Sequence, residues 1–173
     1  MASEESIQSN QYLTFMLDNE DFALEIMKVK EVLDLTTITR VPRMPNYLCG
    51  VINLRGNVVP VIDLRLKLGM SAIQRTVDTC IVIIDIHIDG ELIQLGALTD
   101  AVKGVIELDT NDIVSAPKLG TRLNTEFIRG MGKQDDRFII ILDIDRVLSS
   151  IEISALHDFS STANADDTDK KST

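Results

Sequence analysis

From Gln11 to Leu17 the chain reads QYLTFML, apolar and β-favouring; DNED at 18–21 reads as a turn and FALEIM at 22–27 as a second strand. The first predicted element is therefore a hairpin. Further on, Ile84, Ile86 and Ile88 alternate with Asp85, His87 and Asp89, the period of a strand with one buried face, and Asp89-Gly90 supplies a tight turn into ELIQLGAL. A third pair is predicted from 51–54 and 58–62 around Arg55-Gly56-Asn57. Pro60, which has no N–H, then needs an edge, a strand end or a bulge. Helix signals are fewer. The clearest spans 143–159: Asp143 or Asp145 can cap its first turn, and Ile144, Val147, Leu148, Ile151, Ala155 and Phe159 form one apolar stripe. The stretch 160–173 has no large apolar residue and reads as a disordered acidic tail.

The pattern also repeats. YLCGV at 47–51 followed by VVPVIDL at 58–64 has a counterpart in FIRGM at 127–131 followed by FIIILDI at 138–144, both at one offset. KVKEVLDL at 28–35 matches AVKGVIEL at 101–108, and Ile38 and Pro42 match Ile113 and Pro117, with the offset drifting only in the loop between. Four blocks in the same order imply two homologous halves. Each half holds roughly five short strands, enough for a small closed barrel, and closure removes the exposed edges that invite aggregation. The predicted architecture is all-β with minor helices: tandem five-stranded β-barrels, the first over 11–77 and the second over 78–145, followed by the amphipathic helix.

The duplication separates scaffold from specialised surface. Residues that both halves share follow from the shared fold: Gly50 and Gly130 suit a turn or close backbone approach, and Asp63 and Asp143 the cap of a following helix; Gly56 suits a hairpin turn. Charges that differ are not demanded by the fold. Glu31 in KVKEV stands where the second half has Gly104, and Arg55 in NLRGN where it has Asp135.

Composition narrows the function. Seventeen Lys and Arg against 27 Asp and Glu give a formal net charge of −10, so the summed field repels nucleic acid and anionic membranes. No apolar run approaches the roughly 20 residues that span a bilayer, and MASEESIQSN lacks the basic start and apolar block of a secretory signal. A cytoplasmic protein without membrane insertion is expected. Cys49 and Cys80 sit in apolar surroundings as small buried hydrophobes rather than a disulfide framework.

Catalytic chemistry finds little support. Neither His87 nor His157 is accompanied by HExxH, CxxC, GxSxG or GxxxxGK[ST] spacing. DTND at 109–112 lacks the sixth-position Gly and the terminal Glu of a calcium loop, and GMG at 130–132 lacks the third glycine of a dinucleotide site. No enzyme activity, cofactor or metal is expected.

The run 25–64, particularly EIMKVKEV, PNYLCGV and NLRGNVVPVIDLR, resembles the CheW family, the coupling proteins of bacterial chemotaxis, over about residues 11–158. The resemblance implies two SH3-like barrels and a non-catalytic adaptor joining the cytoplasmic tip of methyl-accepting chemotaxis receptors to the regulatory domain of the histidine kinase CheA. It also implies recruitment to membrane-associated receptor arrays. Carried over by position, Val29, Glu31 and Val32 match the segment that meets the receptor, and Arg55 the arginine expected beside Glu31. A coupling module of another chemosensory pathway, serving surface motility or gene regulation, is the alternative; a small-molecule-binding barrel is the reading of a different class.

Overall fold

The computed structural model describes residues 10–88, 90–115 and 127–147, with the side chain of Ile88 excepted. The strands in order are β1 (Gln11–Leu17), β2 (Glu20–Glu25), β3 (Val29–Asp34), β4 (Leu48–Leu54), β5 (Asn57–Asp63), β6 (Cys80–Ile88), β7 (Glu91–Thr99), β8 (Ala101–Glu107), β9 (Ile113–Val114), β10 (Ile128–Gln134) and β11 (Arg137–Leu142). Two one-turn helices, α1 (Leu64–Lys67) and α2 (Ile144–Val147), follow β5 and β11. Beyond Val147, the helix expected to 159 and the tail at 160–173 lie outside the described residues.

The strands form two sheets, ordered β3-β6-β7-β5-β4 and β8-β1-β2-β11-β10-β9. The same order recurs because each sheet takes its hairpin from one half of the chain and its other strands from the other half. The contiguous division into 11–77 and 78–145 therefore does not describe the barrels: β1 and β2 pair with β8 and β11, while β6 and β7 pair with β3 and β5. The physical reason is that both hairpins join their host sheets through pairings only a distant strand can make, including the parallel ladders β2–β11 and β5–β7. The pseudo-symmetry is detailed. Register shifts fall between Val29 and Glu31 and between Val102 and Gly104, and again at Leu48/Gly50 and Ile128/Gly130.

Each sheet closes by the same device. Past β3 the chain crosses to the opposite edge strand, where Thr39 and Val51 exchange both backbone hydrogen bonds at 2.8 Å; past β8, β9 does the same against β10. We call the barrel containing β3 barrel I and the other barrel II. They are SH3-like, and the two-residue β9 makes the second sheet six-stranded. Pro60 sits inside a sheet rather than at its edge. Its partner Val51 spends its N–H and C=O on Thr39, so the Pro60–Val51 pair asks for no N–H, and the ladder to β7 starts one residue later at Val61.

Among the described residues, three apolar clusters hold the fold together. Ile52, Leu54, Val59, Val61, Ile81, Ile83 and Leu98 fill barrel I; Tyr12, Ala23, Leu108, Ile139 and Ile141 fill barrel II. The largest lies between them, where Phe15, Phe22 and Leu24 from one sheet meet Ile62, Ile84 and Leu95 from the other. Strand β6 is thus covered on both faces, which explains why IVII at 81–84 is continuously apolar before the alternation starts. Each large side chain buried in this shared layer contributes ~1.5–3 kcal/mol, so the barrels are bound into one unit.

Candidate protein-interaction site

β3 is an edge strand, and its exposure alternates as far as the register allows. Val29 pairs with Ile84, Glu31 with Ile83 and Val32 with Val82, leaving Lys30 as the extra residue of a bulge. Directly paired residues share a face. Ile84 and Val82 belong to the layer between the barrels and Ile83 to the inside of barrel I, so the bulge turns Val29 and Val32 to the same side and Glu31 to the other, with Leu33. Val29 is half-buried against the shared layer, while Val32 is 40% exposed.

Arg55 reaches Glu31 from the β4–β5 turn. Its Nη2 donates to both carboxylate oxygens, at 3.0 and 2.9 Å, and the bond raises the guanidinium pKa above its ordinary value. The pair is unequal: the Arg55 side chain is 68% exposed and Glu31 only 24%. Glu31 is seated at the mouth of barrel I, and Arg55 offers its remaining donors to solvent. Both central residues of the turn, Arg55 and Gly56, have positive φ, 51° and 89°, the geometry whose twist matches a hairpin. Asn53 Oδ1 accepts the Gly56 N–H at 2.7 Å. At the corresponding end of barrel II, Gly104 and Asp135 replace the pair, Asp135 in the same left-handed conformation at φ 55°, and Lys103 turns to Asp21 instead, at 2.8 Å.

The structure thus brings Glu31 and Arg55 into contact and sets Val29 and Val32 on the opposite face of the same strand. The other singled-out positions belong to the frame. Gly50 has φ 147°, and a Cβ there would stand 2.1 Å from the Thr39 carbonyl oxygen; at Gly130 it would stand 2.9 Å from Ile113 Cγ2. Asp63, 2% exposed, caps α1 by accepting from the N–H of Arg65 and Leu66 at Oδ1, and holds the following loop by accepting from the Ile73 N–H at Oδ2. Asp143 precedes α2, where its backbone carbonyl accepts from Arg146 and Val147 and its side chain pairs with Arg146 at 3.5 Å.

Sequence reasoning passed over two contributors. Asn53 carried a signal, the Asn-x-x-Gly spacing of a side chain that caps its own turn. Arg65 carried none: its guanidinium, mostly buried, donates to the Ser71 carbonyl and to Asp100 and lies 3.7 Å from Asp18, tying α1 to two turns that the sequence sets far apart. Among the described residues no group of His, Cys, Asp and Glu is arranged to hold a metal ion. Burial, helped by Asp63, pushes the Cys49 thiol up to about 11, leaving no nucleophile there at neutral pH.

Comparison with known proteins bears on the family and the fold. The CheW-like domain family matches residues 11–152. The chain is 33% identical over 144 residues to the chemotaxis protein CheW of Klebsiella aerogenes, covering 83% of this chain and 84% of that one. It is 36% identical over 137 residues to the chemotaxis protein CheW of Bacillus subtilis, covering 79% and 85%. Among solved structures it is similar to the scaffolding protein TtCheW from Thermoanaerobacter tengcongensis, with a TM-score of 0.72, 35% identity, and 82% and 88% of the two chains covered.

Proposed function

The chain belongs to the CheW family of chemotaxis scaffold proteins, and from that premise we propose that it couples methyl-accepting chemoreceptors to the histidine kinase CheA. The observation that carries the reading is the Glu31–Arg55 pair on an edge strand of barrel I, beside exposed Val32 and absent from the pseudo-equivalent end of barrel II. The shared fold does not require that pair. A partner that spans the open edge of β3 would take apolar area from Val29 and Val32 on one face and meet the charges on the other, which set orientation and exclude wrong partners more than they add affinity.

The kinase regulatory domain then engages other faces of the barrels. An adaptor holding both partners lets a small rearrangement at the receptor tip bias the kinase between active and inactive states, a coupling typically worth ~1–3 kcal/mol that needs no chemistry in the adaptor. No helix among the described residues is long and apolar enough to cross a membrane, so placement at receptor arrays comes from the partners in this reading. The test is Glu31→Arg in a reconstituted receptor–kinase assembly. The variant is expected to stay folded, because Glu31 lies on an edge strand and belongs to none of the three apolar clusters, and to lose receptor capture while still binding the kinase. Full kinase control by the variant would refute the role given to Glu31.

A further inference from the structure

Arg55 occupies a backbone conformation that suits it poorly. Among the described residues, two other hairpin turns also place non-glycine residues at positive φ, both central residues in Asp18-Asn19 and the first alone at Asp135, residue types whose short polar side chains tolerate it; the one other arginine at positive φ, Arg43 at 63°, lies outside the strands. Barrel I puts a long, unbranched cation there instead. Strain of this kind persists only where the surroundings over-determine it. Here the surroundings are Asn53: its Oδ1 accepts the N–H of Gly56, closing the turn around Arg55. At the matching position of barrel II stands Lys133, opposite Phe138 as Asn53 is opposite Val58, and lysine has no acceptor to offer.

We propose that Asn53 is a positioning residue for the Glu31–Arg55 pair, holding the strained turn so that the guanidinium lands on Glu31; its effect on partner binding rests on the reading of that pair as receptor-facing. Three features of barrel I then act together. Asn53 fixes the turn, Gly56 supplies the second left-handed residue and the amide that Asn53 grips, and Glu31 anchors Nη2 so that Nε and Nη1 of Arg55 stay directed at a partner. Without Asn53 the turn relaxes toward conformations arginine prefers, and the guanidinium leaves its anchor. Asp135 at the equivalent turn needs no such clamp, because aspartate adopts the conformation with less strain.

The experiment compares the full chain with Asn53→Ala, Asn53→Asp, Arg55→Ala and the double variant Asn53→Ala/Arg55→Ala. Two readouts are used: amide hydrogen exchange at Gly56 with the HN–Hα coupling constant of residue 55, and affinity for a purified receptor cytoplasmic fragment by calorimetry. Asn53→Ala is expected to speed Gly56 exchange, shift the coupling constant out of the positive-φ range and weaken the fragment about fivefold, the size of one lost hydrogen bond. Asn53→Asp, which keeps an acceptor oxygen in place, restores slow exchange, and Asn53→Ala adds nothing in the Arg55→Ala background. Unchanged exchange and coupling in Asn53→Ala overturn the proposal, as does an equal loss of affinity in the Arg55→Ala background. If Arg55→Ala binds the fragment normally while Asn53→Ala still opens the turn, the positioning role stands and the receptor-facing reading of the pair falls.

Discussion

Gly50→Ala is expected to be one of the most destabilising single-methyl changes in the protein, and its pseudo-symmetric partner shows why. At Gly50 two costs coincide. The backbone has φ 147°, a region that side chains other than hydrogen rarely adopt, and the new Cβ would lie 2.1 Å from Thr39 O, 2.8 Å from Thr39 C and 2.9 Å from Ile38 Cγ2. The first cost is about 1–3 kcal/mol. The second cannot be relieved by a rotamer change, because the obstruction is backbone: Thr39 must withdraw by roughly an ångström, which breaks the two 2.8 Å hydrogen bonds that close barrel I, at ~0.5–1.5 kcal/mol each. The sum is about 2–6 kcal/mol, a large part of the ~5–15 kcal/mol that holds a typical domain. At Gly130 the nearest atoms are Ile113 Cγ2 at 2.9 Å and Val114 O at 3.1 Å, and a methyl needs a shift of only a few tenths of an ångström. There the expected cost is about 1–2 kcal/mol. Urea denaturation followed by circular dichroism measures both variants against the parent. If Gly50→Ala proved no more costly than Gly130→Ala, the claim that the Thr39 crossing closes barrel I would be wrong.

Three further outcomes follow from the exchanged hairpins, the Asp63 cap and the burial of Cys49. A fragment ending at residue 77 is expected to be unfolded by circular dichroism and amide dispersion, because β1–β2 lose β8 and β11 while β3–β5 lose β6 and β7; a cooperative melt from that fragment would refute the exchange of hairpins. Asp63→Ala strands the N–H groups of Arg65, Leu66 and Ile73 and should cost ~2–3 kcal/mol in chemical denaturation, with Asp63→Asn intermediate because it keeps one acceptor. Alkylation of Cys49 in the folded chain at pH 8 should run more than ~100-fold slower than for a free thiol and rise tenfold per pH unit toward 11, since only about one molecule in a thousand carries the thiolate; labelling at the free-thiol rate would contradict the buried placement.

Local elements were legible because hairpins announce themselves locally. Alternation and turn residues are enough to find three of them, the repeated blocks are enough to make β3 the equivalent of β8 and β4–β5 that of β10–β11, and the charge differences within those blocks lead to Glu31 and Arg55. What stayed hidden is long-range. Nothing in QYLTFML says that its partner is AVKGVIE rather than KVKEVLD, because the two are near-copies and either could satisfy the same apolar face. The hairpins themselves, though equivalent in the fold, share too little sequence to show as part of the repeat: Phe15 takes the place of Ile84, and Ala23 that of Gly96. Nor could spacing alone have put Val29 and Val32 on one face. Three residues apart, they fall on opposite faces of a regular strand, and only the bulge at Lys30 brings them together.

The exchange of hairpins bears on how a duplicated chain can serve as an adaptor. Two barrels joined by a simple linker would each be complete, and relative motion would be the default between them. Here neither barrel exists without a hairpin from the other half, and the layer between them is built from both sheets, so a displacement at barrel I is met by rigid contacts into barrel II. The same pseudo-symmetry creates a problem of identity: two near-equivalent barrel ends invite a partner to bind at either. Under the proposed function, charge would resolve it: with Glu31 and Arg55 at one end, and Gly104, Asp135 and a Lys103–Asp21 pair at the other, a receptor selected by the first would not be accommodated by the second. Transplanting the pair through Gly104→Glu and Asp135→Arg tests this separation directly. If charge assigns the ends, the transplant should raise the receptor fragment's stoichiometry toward two per chain; a stoichiometry that stays at one would mean that the exposed apolar side chains, and not the charges, decide which end is read.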